Sequence, residues 1–198
     1  LHGVLYVETD KTSDCSQEEV LFLGTLADLI SGALHNAFTF QKAQEQAITD
    51  GMTGLKTHRF FMEALSGESK RSTRAGRSFS LVLMDLDRFK FVNDFYGHLD
   101  GDLVLQRVAH LLELNCRRSD VVARYGGDEF AIIMPETDLD QARAAIKRLK
   151  ERILESSVPA SGAGDDIKFS ISAGLAAYDN SYSNETDLFD SADKRLYE

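Results

Sequence analysis

The sequence predicts an α/β (α+β) domain, one antiparallel-containing sheet with flanking helices, preceded by a long N-terminal helical stalk. Three observations carry this. Apolar runs of strand length alternate with segments of helical period, two of the strands are joined by the tight turn of "RYGGDEF", and residues 17–48 form a long helical pattern with an apolar seam over about three heptads. At 198 residues and 43% hydrophobic, the chain buries a sizeable core and holds one domain, or one plus a fragment.

Taken in order, "GVLYVE" reads as a strand and "TDKTSDCSQ" as a polar turn. The helix from 17 to 48 places Leu23, Leu26, Ile30, Ala33, Ala37 and Phe40 at alternating spacings of three and four, a heptad seam. Such a seam pairs with a second copy of itself; the alternative is one amphipathic helix packed on its own domain. "TDGMTGLKTHRF" is a turn that separates this stalk from the rest. Then come a helix (58–75), a fully apolar strand "FSLVLMDL", helices at 88–96 and 101–115, and the strand pair "DVVARY" and "EFAIIM". A helix (138–155), the surface loop "SSVPASGAGDD", a strand "IKFSISAGLAAY" and a helix from Glu185 complete the chain. The arrangement is a ferredoxin-like or palm-type layer.

Composition excludes several partners. A net charge of −10 and a pI near 5.0 make a poor electrostatic partner for nucleic acid polymers or anionic lipid. Cys15 and Cys116 lack metal spacing and read as reduced thiols of a cytoplasmic protein. The most apolar stretch, "VLFLGTLADLISGAL", contains Asp28 and falls short of the roughly 18–20 apolar residues of a membrane span, so no membrane insertion is expected. The start "LHGVLYVETD" has no basic n-region and reads as a strand cut from something longer, not a signal peptide.

The chemistry concentrates in carboxylates. "FSLVLMDLDRFK" ends its strand at Asp85 and Asp87, which period two puts on one face with Leu86 on the other. If the hairpin strand ending at Tyr125 lies beside it, Asp128 and Glu129 converge on Asp85. Carboxylates converging without a lysine repel one another and demand a proton or a cation, and all-oxygen ligation favours Mg²⁺ or Mn²⁺ over Zn²⁺. The alternative is helix capping, Asp87 for "RFKFVNDF" and Asp100 for "GDLVLQRV"; capping is the reading taken for Asp100. Gly126 and Gly127 leave backbone bare for a phosphate, although an ordinary two-residue turn also uses glycine. Metal carboxylates beside bare backbone suit a nucleoside triphosphate.

Together "DGMTGLKTHRFF", "DLDRFKFVNDFYGHLDGD", "RRSDVVARYGGDEF" and "SADKRLY" closely resemble the GGDEF-domain diguanylate cyclases, in order and spacing, from about Asp50 to Glu198. The resemblance implies a cytoplasmic enzyme that condenses two GTP molecules into cyclic di-GMP and two pyrophosphates, one GTP on each of two facing domains. Asp85, Asp128 and the Leu86 carbonyl would hold two Mg²⁺ (or Mn²⁺) ions per active site. Asn93 and Asp102 would read guanine, and Phe89 and Lys90 would sit by the β- and γ-phosphates. Gly126 and Gly127 would pass under the α-phosphate and ribose. Asp128, Glu129 and Lys90 would be the catalytic set, with Lys90 offsetting phosphate charge and Asp128 helping to accept the 3′-hydroxyl proton.

The resemblance also implies that "RRSD" is a product-inhibition site, with Arg117 and Asp120 binding cyclic di-GMP; the alternative is a solvated Arg–Asp pair. Thr57 and His58 depart from the family's usual Asn-Arg, in a segment that starts a helix. Past "ADKRLY" the family usually continues with a phosphate-binding Lys and Arg, for which Lys194 and Arg195 are no substitutes. Residues 1–49 resemble the last strand and signalling helix of a GAF-like sensor domain, with dimerisation as the implied role, and 50–198 the cyclase domain. A second function class is a catalytically silent module that binds GTP or cyclic di-GMP and relays a signal; the presence of Asp85, Asn93, Asp102, Gly126, Gly127, Asp128 and Glu129 favours the enzyme.

Overall fold

The computed structural model describes residues 16–162, 165–178 and 185–196. The expected strand at 3–8 and Cys15 lie outside the described residues. The chain divides into two compact units, Leu1–Glu45 and Gln46–Glu198.

The long helix is α1 (Gln17–Ile48). It opens on a reciprocal cap, in which the Glu19 N–H donates to Ser16 Oγ and the Ser16 N–H donates to Glu19 Oε2. Apolar side chains cover more of α1 than the seam foresees. Leu26, Ile30 and Phe40 are exposed on the seam, and so are Leu21, Leu29, Leu34 and Phe38 beside it. All described side chains from Ser31 to Ala43 are exposed. By length and composition Gln17–Ala43 is also long and apolar enough to cross a membrane. Asp28 interrupts the apolar run, but the Leu, Ile, Val and Phe residues on either side of it keep the mean hydropathy of the helix high.

In the second unit, period two in the central strands decides the layering. The elements are β1 (Lys56–Thr57), α2 (His58–Ala75), β2 (Phe79–Leu86), α3 (Phe89–Tyr96), α4 (His98–Asn115), β3 (Val121–Arg124) and β4 (Glu129–Pro135). They are followed by α5 (Leu139–Leu154), β5 (Ser157–Val158), β6 (Ile167–Lys168), β7 (Ile171–Tyr178) and α6 (Glu185–Leu196). Five strands form one mixed sheet in the order β1-β3-β4-β2-β7, antiparallel except for the β1–β3 pair. Val82, Met84 and Leu86 of β2 and Ile132 of β4 face one way, into a core shared with α3, α4 and α5. Phe79, Leu81 and Leu83, with Ala131 and Ile133, face the other way, against α2 and α6. The sheet is thus covered on both faces, as the fold class predicts.

Three expectations are corrected. "IKFSISAGLAAY" is not one strand: β6 pairs with β5 in a separate two-stranded sheet, and only β7 joins the main one. Part of the expected loop "SSVPASGAGDD" therefore supplies β5. The strand ending near Tyr125 does not lie beside β2, because β4 stands between them. Finally, Asp100 does not cap α4. It sits inside the first turn, 2% exposed, and accepts both the N–H and the hydroxyl of Ser161, pinning a distant loop to the helix.

Ile132 is fully buried in the strand between β3 and β2. Ile132→Ala is expected to lower unfolding free energy by about 2–5 kcal/mol in a denaturant titration.

Candidate active site

The register of the two central strands builds the site. Asp85 on β2 lies directly opposite Glu129 on β4, and the Leu86 N–H donates to the Asp128 carbonyl at 3.2 Å. Like charges directly opposite across a ladder are destabilising. Asp128 and Asp87 add to them, so burial first, then Asp128, Glu129 and Asp87 in turn, push the Asp85 carboxyl up to about 6. The convergence expected from the sequence is present, but it comes from the second hairpin strand. Among the described residues no three His, Cys, Asp or Glu side chains form a metal-binding group by themselves. The repelling carboxylates around Asp85 are hard oxygen donors, a chemistry that suits a divalent cation only if further ligands complete its shell.

The two glycines of the turn have different surroundings. Neither takes a left-handed φ. A Cβ on Gly126 would stand 2.2 Å from Glu129 Oε2, so that glycine lets the Glu129 carboxylate fold back over the turn. A Cβ on Gly127 would meet nothing within 4 Å, leaving an open face. The Gly127 carbonyl accepts two bonds from Arg124, from Nε at 3.2 Å and from Nη2 at 2.8 Å. Arg124 Nη1 reaches Asp50 Oδ1 at 3.3 Å. Burial opposes ionisation of Asp50, but bonds from Thr53 and the Arg124 charge outweigh it and hold that carboxyl below its usual range. Arg124 thus ties the turn to the segment just after α1.

The second half of the site is the α3–α4 corner. Asn93 packs so closely on Gly101 that a Cβ there would stand 2.0 Å from Asn93 Oδ1. This brings Asn93 to the residue preceding Asp102, both half-buried. Phe89 borders the same glycine, while Lys90 projects to solvent. Asp85 also lines a cavity of about 990 Å³ together with Asp87, Arg88, Lys168, Ser170 and Ser172.

The remaining predicted pair sits elsewhere. Arg117 and Asp120 line a separate concavity of about 570 Å³ with Lys56, Phe60 and Arg118. Asp120 is not an ion-pair partner of Arg117. Its carboxylate accepts the Arg117 N–H at 2.8 Å, closing the turn, while the Arg117 side chain is exposed. Cys116 beside them is pushed up to about 12 by burial and then by Asp120, so its thiol stays protonated.

Sequence reasoning passed over Gly101, Arg124 and the hydroxyls around Asp87. Gly101 carried a readable signal, a glycine inside a helical pattern between two carboxylates. Arg124 carried none, because its partner Asp50 lies 74 residues away.

A family model for the diguanylate cyclase GGDEF domain matches residues 47–198. Diguanylate cyclase DgcP of Pseudomonas aeruginosa is 35% identical over 165 residues, which is 83% of this chain and 24% of that protein. The coiled coil and GGDEF domain of DgcB from Caulobacter crescentus, in complex with c-di-GMP, superposes with a TM-score of 0.84 at 24% identity, covering 89% of this chain and 92% of that one. That likeness concerns the fold. The GGDEF domain of DgcB alone, also with c-di-GMP, gives a TM-score of 0.73 at 27% identity over 76% of this chain and 86% of that one. The chain spans between about a quarter and about half of the length of the curated relatives it matches.

The raised Asp85 fixes a pH dependence. Its folded value lies above the unfolded 3.8, so the stability linked to this group is present below pH 4 and lost as pH rises through about 6. Asp85→Asn should therefore stabilise the metal-free protein at pH 7.5 and not at pH 4 in thermal melts. Solvent screening keeps the gain below about 1 kcal/mol.

Proposed function

The chain belongs to the diguanylate cyclase GGDEF-domain family, and from that premise we propose that it condenses two GTP molecules into cyclic di-GMP with release of two pyrophosphates. The observation that carries the proposal is the carboxylate cluster around Asp85, whose mutual repulsion suits it to a divalent cation. Asp85, Asp128 and the Leu86 carbonyl would hold Mg²⁺ or Mn²⁺, two ions per site, with Glu129 beside them. The ions, when bound, supply the Lewis acidity that activates a 3′-hydroxyl and stabilises charge on the α-phosphate.

The protein's own groups position the nucleotide. Asn93 and Asp102, at the corner closed by Gly101, read the guanine edge; a carboxylate acceptor there suits the guanine N1–H and N2–H₂, which adenine does not reproduce. Phe89 and Lys90 at the start of α3 adjoin the β- and γ-phosphates, and Lys90 offsets their charge. The open face of Gly127 and the backbone at Gly126 take the α-phosphate and ribose. Asp128 helps to accept the hydroxyl proton as the new phosphodiester forms and pyrophosphate leaves.

One domain is half of such a site, so the reaction needs a second GTP-loaded copy facing the first. We assign the pairing to α1, whose exposed seam gives the two copies a shared surface and raises their effective concentration. Residues 1–49 are read as the tail of a GAF-like sensor domain and 50–198 as the cyclase, acting in the cytoplasm where GTP is available. Arg117 and Asp120, with Lys56 and Arg118 in the same concavity, form an inhibitory site for the product.

Incubation with GTP and Mg²⁺, in parallel with ATP, is expected to yield cyclic di-GMP from GTP alone by chromatography. Asp128→Ala should abolish it while the melting temperature stays within a few degrees of the parent; normal turnover in that variant would overturn the metal assignment. Absence of product from a chain with enforced dimerisation would favour a silent GTP- or cyclic di-GMP-binding module. Arg117→Ala should raise the inhibition constant for cyclic di-GMP at least tenfold and leave initial rates unchanged. Equal constants would reduce Arg117 to a surface residue.

A further inference from the structure

The turn that carries Asp85 and Leu86 into α3 is strained. Arg88 sits at φ 56° and ψ 30°, the left-handed region, which a residue with a Cβ occupies at a cost. Arg88 is also the N-cap of α3; its side chain makes no capping bond, and α3 engages it only through its carbonyl, which accepts the Val92 N–H at 3.2 Å. The neighbouring Asp87 is tied down instead. One of its carboxylate oxygens accepts the Ser170 hydroxyl at 2.5 Å and the other accepts the Ser172 hydroxyl at 2.6 Å. Its N–H donates to the Ser170 carbonyl at 2.9 Å. On the opposite side, the Leu86 N–H is held by the Asp128 carbonyl.

Both oxygens of Asp87 are thus engaged by hydroxyl donors. A third negative charge beside Asp85 adds to the repulsion there, so the carboxylate at 87 works against the neighbouring site electrostatically. What it adds is geometric, since hydrogen bonds to an ionised acceptor are short and strong. We propose that Asp87 is a positioning residue: the Ser170–Asp87–Ser172 clamp holds Arg88 in its left-handed conformation and thereby fixes the Leu86 carbonyl and the Asp85 carboxylate for the metal–nucleotide complex. The inference rests on the functional reading of this site and adds to it a residue that touches neither metal nor substrate.

The test uses the whole chain and four variants: Asp87→Ala, Asp87→Asn, Ser170→Ala with Ser172→Ala, and Asp87→Ala with Arg88→Gly. Three quantities are read: the melting temperature, the Mg²⁺-dependent affinity for an unreactive GTP analogue by calorimetry, and turnover. Asp87→Ala is expected to weaken analogue binding in Mg²⁺ and to slow turnover, each by about 10–100-fold, the usual effect of losing a group that supports a metal ligand. The double serine variant should match it. Asp87→Asn should stay within about threefold, because a carboxamide accepts from one hydroxyl and donates to the other. Arg88→Gly should restore at least tenfold in the Asp87→Ala background, since glycine adopts this φ without strain.

Asp87→Asn behaving as badly as Asp87→Ala would show that charge or ligation is the role and would overturn the clamp. Unchanged binding in Asp87→Ala, or a folded double variant without rescue, would do the same. Should Asp87→Ala fail to fold, Asp87→Asn and the double serine variant decide the matter. A parent chain that binds no analogue in Mg²⁺ would sink the functional reading itself, whereas a binding parent with an unaffected Asp87→Ala sinks only the clamp.

Discussion

The site depends on one unfavourable arrangement, a half-buried Asp85 at the end of the central strand facing Asp128, Glu129 and Asp87, with Glu129 directly across the ladder. A sheet gains from placing opposite charges or apolar groups face to face, and this one does the reverse at the end of its central strand. The arrangement persists because β2 is locked on both edges, by β4 and by β7, and buried on both faces by helices. Rigid apolar packing a few residues away offsets a local electrostatic penalty that a mobile loop would relax by moving the charges apart. The penalty is also the chemistry, since it leaves a cluster that favours a cation or a proton.

Around that cluster the backbone is held by side chains distant in sequence. Asp87 engages Ser170 and Ser172, and Arg124 joins the Gly127 carbonyl to Asp50. Asn93 leans on Gly101, and Asp100, next in the chain, anchors Ser161. Each tie crosses from one element to another, so the geometry of the site is a property of the assembled domain. The strained Arg88 belongs to the same pattern: a turn in an uncommon conformation survives where its neighbours over-determine it.

The first unit obeys different physics. The apolar side chains of α1 spread beyond one heptad seam, and those of the described stretch from Ser31 to Ala43 remain exposed. Exposed apolar surface of this extent marks an interaction face. The proposed reaction, which joins two nucleotides held on separate domains, would give such a face a use, because pairing there would turn a bimolecular encounter into a local one.

The sequence by itself determined the order of the helices and of the longer strands, the helix over 17–48, the apolar run of β2 ending at Asp85, and the carboxylates and glycines of the candidate site, since these depend on local periodicity and turn chemistry. It also offered Asn93 and Asp102, on a resemblance carried by one short stretch, as the pair proposed to read guanine, and the structure packs Asn93 on Gly101, the residue before Asp102. Only the tertiary structure decided that β4 and not β3 borders β2, that "IKFSISAGLAAY" divides between two sheets, and that Asp100 reaches Ser161 instead of capping its helix. The ties of Arg124 to Asp50 and of Asp87 to Ser170 span 74 and 83 residues. Strand order and such long-range bonds leave no period in the chain, because they are selected by which buried faces and polar groups find partners after the elements have packed.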